Sequence, residues 1–445
     1  MFDIRDYGAT GDGTTLDTLA IQSAIDACHA AGGGQVVVPA GCFLSGSIVL
    51  RSRVELHLSR GAVLQGSSRW EDYTQRHTVG ALSAGVVRED SEAAASFISA
   101  LGAEDVAISG PGRIDGAGRA FVVEDLGAIY RCPNARPFTV FLIGCRNVSV
   151  TSVQITDAAL WCVRLTGCER VLVHGITIDS DLKHPNADGI DIDRCRDVRI
   201  SDCHISCGDD AISLKTCEEF PELGPTENVV ITNCVLRSTS SAIVVGVDAT
   251  SDIRNVVVSN CVIYGSHRGL SVNLGQEGHF ENILFSDCIV QTEVFDKAWW
   301  GRGEPIYVSC VPWHDRVGTI RNVRFRNILA RSENGVYING HEPGAITGVL
   351  LDGIRVELSP PRRFPGGEYD RRPSESGPEF TSALTSGFHL DTVTDVTLRQ
   401  CEVTWAAVDQ TSGYAVEARS VEGLRIDDLV GGSAHPDRLP TTLVH

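Results

Sequence analysis

Three aspartates carry the first chemical signal in this chain. Asp188 lies in "NADGIDID" (186–193), and Asp209 and Asp210 are adjacent in "CGDDAISLK" (207–215). Asp and Gly are poor strand formers, yet β-branched residues surround them. A lone Asp before Gly is ordinarily a turn residue. Carboxylates gathered at one place repel, so at least one is expected to keep its proton to higher pH. A protonated carboxyl beside ionised ones is the equipment for breaking a glycosidic bond: one group protonates the leaving oxygen, another activates water. Such chemistry requires a fold that brings residue 188 to residues 209 and 210.

The surrounding pattern provides one. A turn residue, alternating apolar positions and often Cys recur as "DVRISDC" (197–203), "NVVITNC" (228–234), "NVVVSNC" (255–261), "NILFSDC" (282–288) and "DVTLRQC" (395–401). Weaker copies are "NVSVTSV" (147–153), "RVLVHGI" (170–176), "NVRFRNI" (322–328) and "GLRIDDL" (423–429). From 153 to 328 the last positions advance by 23, 27, 31, 27, 27 and 40 residues. A second strand-like pattern follows the copies: "WCVRL" (161), "DGIDI" (188), "DAISL" (210), "SAIVV" (241), "RGLSV" (268), "EPIYV" (304) and "NGVYI" (334). The period is 2, so these are strands with one face buried. Short strands recurring every 20–30 residues or so mean a solenoid, and the step is too short for a propeller blade. The expected fold is therefore all-β: a single-domain right-handed parallel β-helix over 1–445. Its N-terminal capping helix falls in 16–34, where Ile21, Ala24, Ile25 and Cys28 share a face. Long loops are expected at about 112–140, 290–320 and 358–385. Cys203, Cys234, Cys261 and Cys288 should stack as an internal ladder.

Aligned coils place equivalent residues about 4.8 Å apart. The residue opening each second pattern then forms a column of Trp161, Asp188, Asp210, Ser241, Arg268, Glu304 and Asn334. The preceding residue forms another, which includes Asp209 and His267. Asp188 and Asp210 become next-rung neighbours with Asp209 beside them, facing a groove suited to a chain of sugars. Around them Trp161 could stack on a sugar ring. Asp191 points outward near the cluster. Lys215 is a candidate substrate contact, or the partner of Asp193 in a surface ion pair. Arg302 and Glu304 of "WWGRGEP" (299–305) could build the other end of the site.

Composition narrows the class. The chain has 445 residues, with 38 basic against 57 acidic, a net charge of −19. That balance disfavours nucleic acid and anionic membrane surfaces. No apolar run approaches the roughly 20 residues of a membrane helix. The start shows no signal-peptide pattern, and the 15 cysteines include no CxxC pair. A cytoplasmic location with reduced, buried cysteines is expected. No cofactor or metal is expected, although acids of this kind could bind calcium. The partner expected is an oligo- or polysaccharide.

At these residues the sequence resembles glycoside hydrolase family 28, the polygalacturonase family. "NADG" (186–189) matches its Asn-x-Asp motif, which adds Asn186 as a site residue, and "GDD" (208–210) matches its Gly/Gln-Asp-Asp motif. "YGATGDG", "DTLAIQSAIDAC", "GGGQVVVPAGCFLSGSIVLRSRVELHL" and "ARPFTVFLIGCRNVSV" (135–150) resemble the family's N-terminal coils and cap. The resemblance covers roughly 1–360 and implies inverting hydrolysis of pectin-derived chains. Asp209 would be the general acid, with Asp188 and Asp210 activating water. Two departures stand out. The family's Gly-His-Gly aligns with "SSA" (240–242), so Ser241 replaces a His. Its Arg-Ile-Lys aligns with "SVN" (271–273), which removes the cations that grip a uronate. Either Arg268, with His267 beside it, takes over the carboxylate, or the sugar in the cleavage site is neutral, as in rhamnogalacturonan-type relatives. Two further readings compete: a β-elimination lyase on the same rod, which would need calcium, and a non-catalytic carbohydrate-binding protein. End-on action follows if the long loops wall off the groove.

Overall fold

The alternation read from the sequence is an alternation of burial. In the strand Arg196–Ser201, Val198 and Ile200 are buried while Arg199 faces water. The computed structural model describes residues 1–78, 93–374 and 377–445. It is a right-handed parallel β-helix, and it divides into two compact units. The first comprises Met1–Asp209 and Cys217–Gly224, the second Asp210–Thr216 and Pro225–His445.

In the first unit parallel strands stack in register, so that Val36, Leu56, Ile108, Val150, Val173 and Ile200 form one row. All six are fully buried. Each therefore sits between like neighbours, which is the close packing a solenoid core needs. The helix Thr18–Ala30 buries Ile21, Ala24, Ile25 and Cys28, the face expected from the sequence. It ends before Gly32 and Gly33, both in the left-handed region. A side chain at Gly33 would meet the Arg53 carbonyl oxygen at 2.4 Å, so only glycine lets the chain turn there. A second row of cysteines, Cys145, Cys168 and Cys195, lines the corner before the strands.

In the second unit Ile231, Val258, Phe285, Phe325, Leu351 and Leu398 form the equivalent row. Phe285 and Phe325 stack with rings 4.9 Å apart and nearly parallel. The turn residue of each copy has positive φ: Asn228, Asn255, Asn282 and Asn322 lie at 52–59°. Asn tolerates this region because its short amide bonds locally. Here the amides also bond between coils. Asn255 donates to Asn228 at 3.1 Å, Asn282 to Asn255 at 3.3 Å and Asn322 to Asn282 at 2.6 Å. Cys234, Cys261 and Cys288 stack as expected.

The loops carry small structures of their own. In 112–140 a short antiparallel pair, Glu124–Asp125 with Tyr130–Arg131, is tied down by Lys183 and Asp181. In 358–385 the pair Glu368–Asp370 with Phe380–Ser382 does the same, and positions 375 and 376 lie outside the described residues. This second loop meets residues 299–304: Gly301 donates to Asp370 at 2.6 Å and Arg302 faces Glu368 at 3.6 Å.

Candidate active site

The Asn-x-Asp turn is built in the first unit. Asn186 has φ +53. Its backbone N–H donates to Asp209 Oδ2 at 3.0 Å, which aims that carboxylate. Its side-chain oxygen accepts from Arg136 at 3.0 Å. Arg136 also donates to the Ala159 and Pro185 carbonyls at 2.9 and 2.6 Å. This buried arginine fastens the turn, and sequence reasoning passed over it inside "ARPF". Only a cation beside a proline gave any signal. The glycine of "GDD" has a steric reason. A Cβ at Gly208 would lie 2.4 Å from the His184 oxygen and 2.5 Å from the Asp181 oxygen. Burial, with Arg136 beside it, pushes the His184 ring down to about 3, so it stays neutral.

The column expected from the repeat exists in each unit. Cys162 donates to the Asp188 carbonyl at 2.8 Å, continuing the pairing of Val163 with Ile190, so Trp161 and Asp188 stack. In the second unit Ser241 pairs with Arg268, and Gly269 donates to the Glu304 carbonyl at 3.0 Å. Ser241 donates its backbone N–H to Asp210 Oδ1 at 2.9 Å. Asp188 and Asp210 are buried and Asp209 is half-buried. In the first unit one carboxylate oxygen of Asp188 and one of Asp209 lie within 4.8 Å of each other, and Asp210 follows Asp209 directly in the chain.

Several expected sugar contacts are not at the surface. Trp161 is 2 % exposed and packs edge-on to Phe138 at 5.8 Å, with the Arg164 guanidinium 4.7 Å from its ring. It is a core residue and no platform for a sugar. Asp191, expected to face outward, is fully buried beside Arg164 in register. Lys215 is also buried and pairs with Asp248 at 3.3 Å. Asp193 is no surface partner for it: Asp193 is buried and takes Arg164 at 3.0 Å and the Cys217 N–H at 2.9 Å. His267 is fully buried, donates to the Trp300 carbonyl at 2.8 Å and is pushed down to about 3 by burial.

Arg268 is not the open cation expected. It is 2 % exposed and lies 3.8 Å over the Tyr307 ring. Its Nε is 3.6 Å from Glu304 and its Nη2 is 3.9 Å from Asp370. Asp370, absent from the sequence reading, comes from the 358–385 loop, which also lays Tyr369 4.5 Å from Tyr337 and from His389. Glu304 is fully buried and accepts the Arg302 N–H at 2.7 Å. Arg302 is buried over Phe380 at 4.3 Å. Trp299 is buried, and Trp300 packs against Val244, Val247 and Trp313. The "WWGRGEP" segment is thus anchored in place: the Arg302 guanidinium faces Glu368 at 3.6 Å and Glu304 faces Arg268 at 3.6 Å.

Comparison with known proteins bears on the family and the fold. The sequence profile of the glycosyl hydrolases family 28 matches residues 28–363. A probable polygalacturonase of Vitis vinifera is 33% identical over 250 residues, covering 54% of this chain and 50% of that protein. An exo-poly-alpha-D-galacturonosidase of Dickeya chrysanthemi is 26% identical over 293 residues, covering 55% and 47%. The chain spans about half the length of these curated relatives. A family 28 exopolygalacturonase of Yersinia enterocolitica has the same fold, with a TM-score of 0.71 at 18% identity over 97% of this chain and 79% of that one.

Proposed function

Because the chain belongs to glycoside hydrolase family 28, we propose that it hydrolyses pectin-derived oligosaccharides, releasing galacturonide from the chain end with inversion. The observation that carries the reading is the convergence of Asp188 and Asp209 within 4.8 Å, with Asp210 next in the chain. Asp209, the half-buried member, is the general acid on the leaving oxygen, held by the Asn186 N–H. Asp188 and Asp210 are the bases for water. Inverting pairs usually stand about 6.5–9.5 Å apart, with the water in the gap. The nearest oxygens of Asp188 and Asp209 are closer than that, so the anomer of the first product decides the stereochemistry. The exo-acting relative from Dickeya chrysanthemi supports end-on cleavage. Fifteen free cysteines, fourteen of them buried, support a reducing, cytoplasmic setting and imported oligomers as substrate. The partner is a saccharide chain. Among the described residues no helix is long and apolar enough to cross a membrane.

A second reading has its own observation. Arg268 is buried against Glu304 and Asp370, and Ser271 and Asn273 stand on the strand where a uronate clamp would be. A neutral sugar in the cleavage site suits such a surface. Digestion of oligogalacturonides and of rhamnogalacturonan oligomers in parallel, with products followed over time, decides between the two. Monogalacturonate released from the first minutes supports the main reading. Turnover of rhamnogalacturonan alone selects the second, and random mid-chain products contradict exo action.

A further inference from the structure

The positions that align with the family's uronate grip are Ser271 and Asn273, so a charged sugar has to be met from outside the repeat. In the first unit the 112–140 loop supplies a cation for this. The loop stands on two consecutive coils beside the Asn186 turn. Gly118 donates its backbone N–H to the Asp157 carbonyl at 2.7 Å, and a Cβ there would lie 2.4 Å from the Ala158 oxygen, so the loop sits directly on the coil. Asp157 in turn donates its N–H to the Asp179 carbonyl on the next rung at 3.3 Å. Farther along the loop, the Tyr130 N–H donates to the Lys183 carbonyl at 2.8 Å, three residues before Asn186. Between these two anchors Arg119 is exposed, with its guanidinium 4.5 Å from the centre of the Tyr130 ring. Insertions in a solenoid commonly line its binding face.

The carboxylates of this corner are engaged elsewhere. Asp125 takes Lys183 Nζ at 3.1 Å, Asp181 takes the Tyr130 hydroxyl at 2.8 Å and the Lys183 N–H at 3.0 Å, and Asp157 takes the Arg119 backbone N–H at 3.1 Å. Among the described residues none forms an ion pair with the Arg119 guanidinium. A guanidinium held over a ring keeps its edge of N–H donors for a carboxylate, which it can meet through two parallel bonds. The same corner fixes the reacting acids: the Asn186 N–H holds Asp209, and Asp188 reaches within 4.8 Å of it. We infer that Arg119 is a specificity-determining residue, binding the carboxylate of a uronosyl unit that lies on the Tyr130 side of the scissile bond. This rests on the reading of the chain as a galacturonide hydrolase. It puts the positive charge that the coils lack on an insertion.

The test compares trigalacturonate with its fully methyl-esterified form, in which each carboxylate is neutral and the ring is otherwise the same. Dissociation constants are measured by calorimetry in the Asp209→Asn background, where turnover does not interfere. Arg119→Gln should weaken binding of the acid trimer by about ten- to a hundred-fold, the worth of a charge-assisted bond to a carboxylate, and change binding of the ester by less than about three-fold. Arg119→Lys, which keeps the charge and loses the paired donors, should fall between. The urea midpoint of each variant should stay near the parent's, since Arg119 is exposed. Equal losses on acid and ester, no loss on either, or a background protein that binds neither trimer would overturn the inference. A parent enzyme that hydrolyses no galacturonide would overturn the functional reading, and the pair of dissociation constants would still judge Arg119.

Discussion

Asp209 differs from Asp188 and Asp210 in being half-buried, with its carboxylate fixed by one backbone N–H. An acid must reach the leaving oxygen, and the bases need only reach a water. General acid–base groups contribute about 10²–10⁴-fold, so Asp209→Asn should lower kcat by about three orders of magnitude while the dissociation constant for an oligogalacturonide changes only a few-fold. Calorimetric binding beside kcat measures both. His184 and His267 give a stability prediction. Each is held neutral, at about 3 in the folded chain, against about 6.5 when unfolded. Between these values the unfolded chain takes up a proton that the folded chain refuses, so stability present above pH 6.5 is lost as pH falls. At pH 5 each histidine costs about 2 kcal/mol, so the urea midpoint should drop between pH 7 and 5, and His267→Gln should flatten that drop. The acids were legible at this scale because two short motifs carry them. Arg136 and Asp370 were not: one acts through a turn fifty residues away and the other lies in a loop outside the repeat.

Coil architecture was the most legible part, since period-2 burial and a recurring corner residue are both local properties. What the sequence could not say is which outward residues the loops would cover. Trp161, Asp191, Lys215, His267 and Arg268 all fall on outward or corner positions in the repeat, and all are buried. Alternation gives the side of a strand, whereas exposure depends on what packs over it. The asparagine corners offer an element-scale test. Asn255→Ala loses two inter-coil bonds and the local amide bonding that lets Asn tolerate φ +57, for a loss of about 1–2 kcal/mol by urea denaturation. Asn255→Gly keeps the backbone freedom and should lose less. Gly208→Ala forces a side chain against two carbonyl oxygens at 2.4 and 2.5 Å. It should displace Asp209 and lower kcat by at least ten-fold, since a misplacement near 1 Å costs on the order of 10²-fold. Circular dichroism should remain that of the parent.

At the scale of the whole chain, the proposed function sets a net charge of −19 against a polyanionic substrate. Their mutual repulsion is screened by salt, so kcat/KM on oligogalacturonides should rise between 10 and 150 mM salt, as read from initial rates. A neutral substrate would show no such rise, which connects this measurement to the second reading of the site. The acidity was legible from composition and disfavours nucleic acid. The sugar itself was not legible, because specificity rests on how loops and buried charges are arranged around three aspartates. The central claim is that those aspartates perform a single displacement by water. Proton NMR of the first product formed from an α-linked oligogalacturonide tests it most directly: the account predicts the β-anomer before mutarotation, and the α-anomer would contradict it.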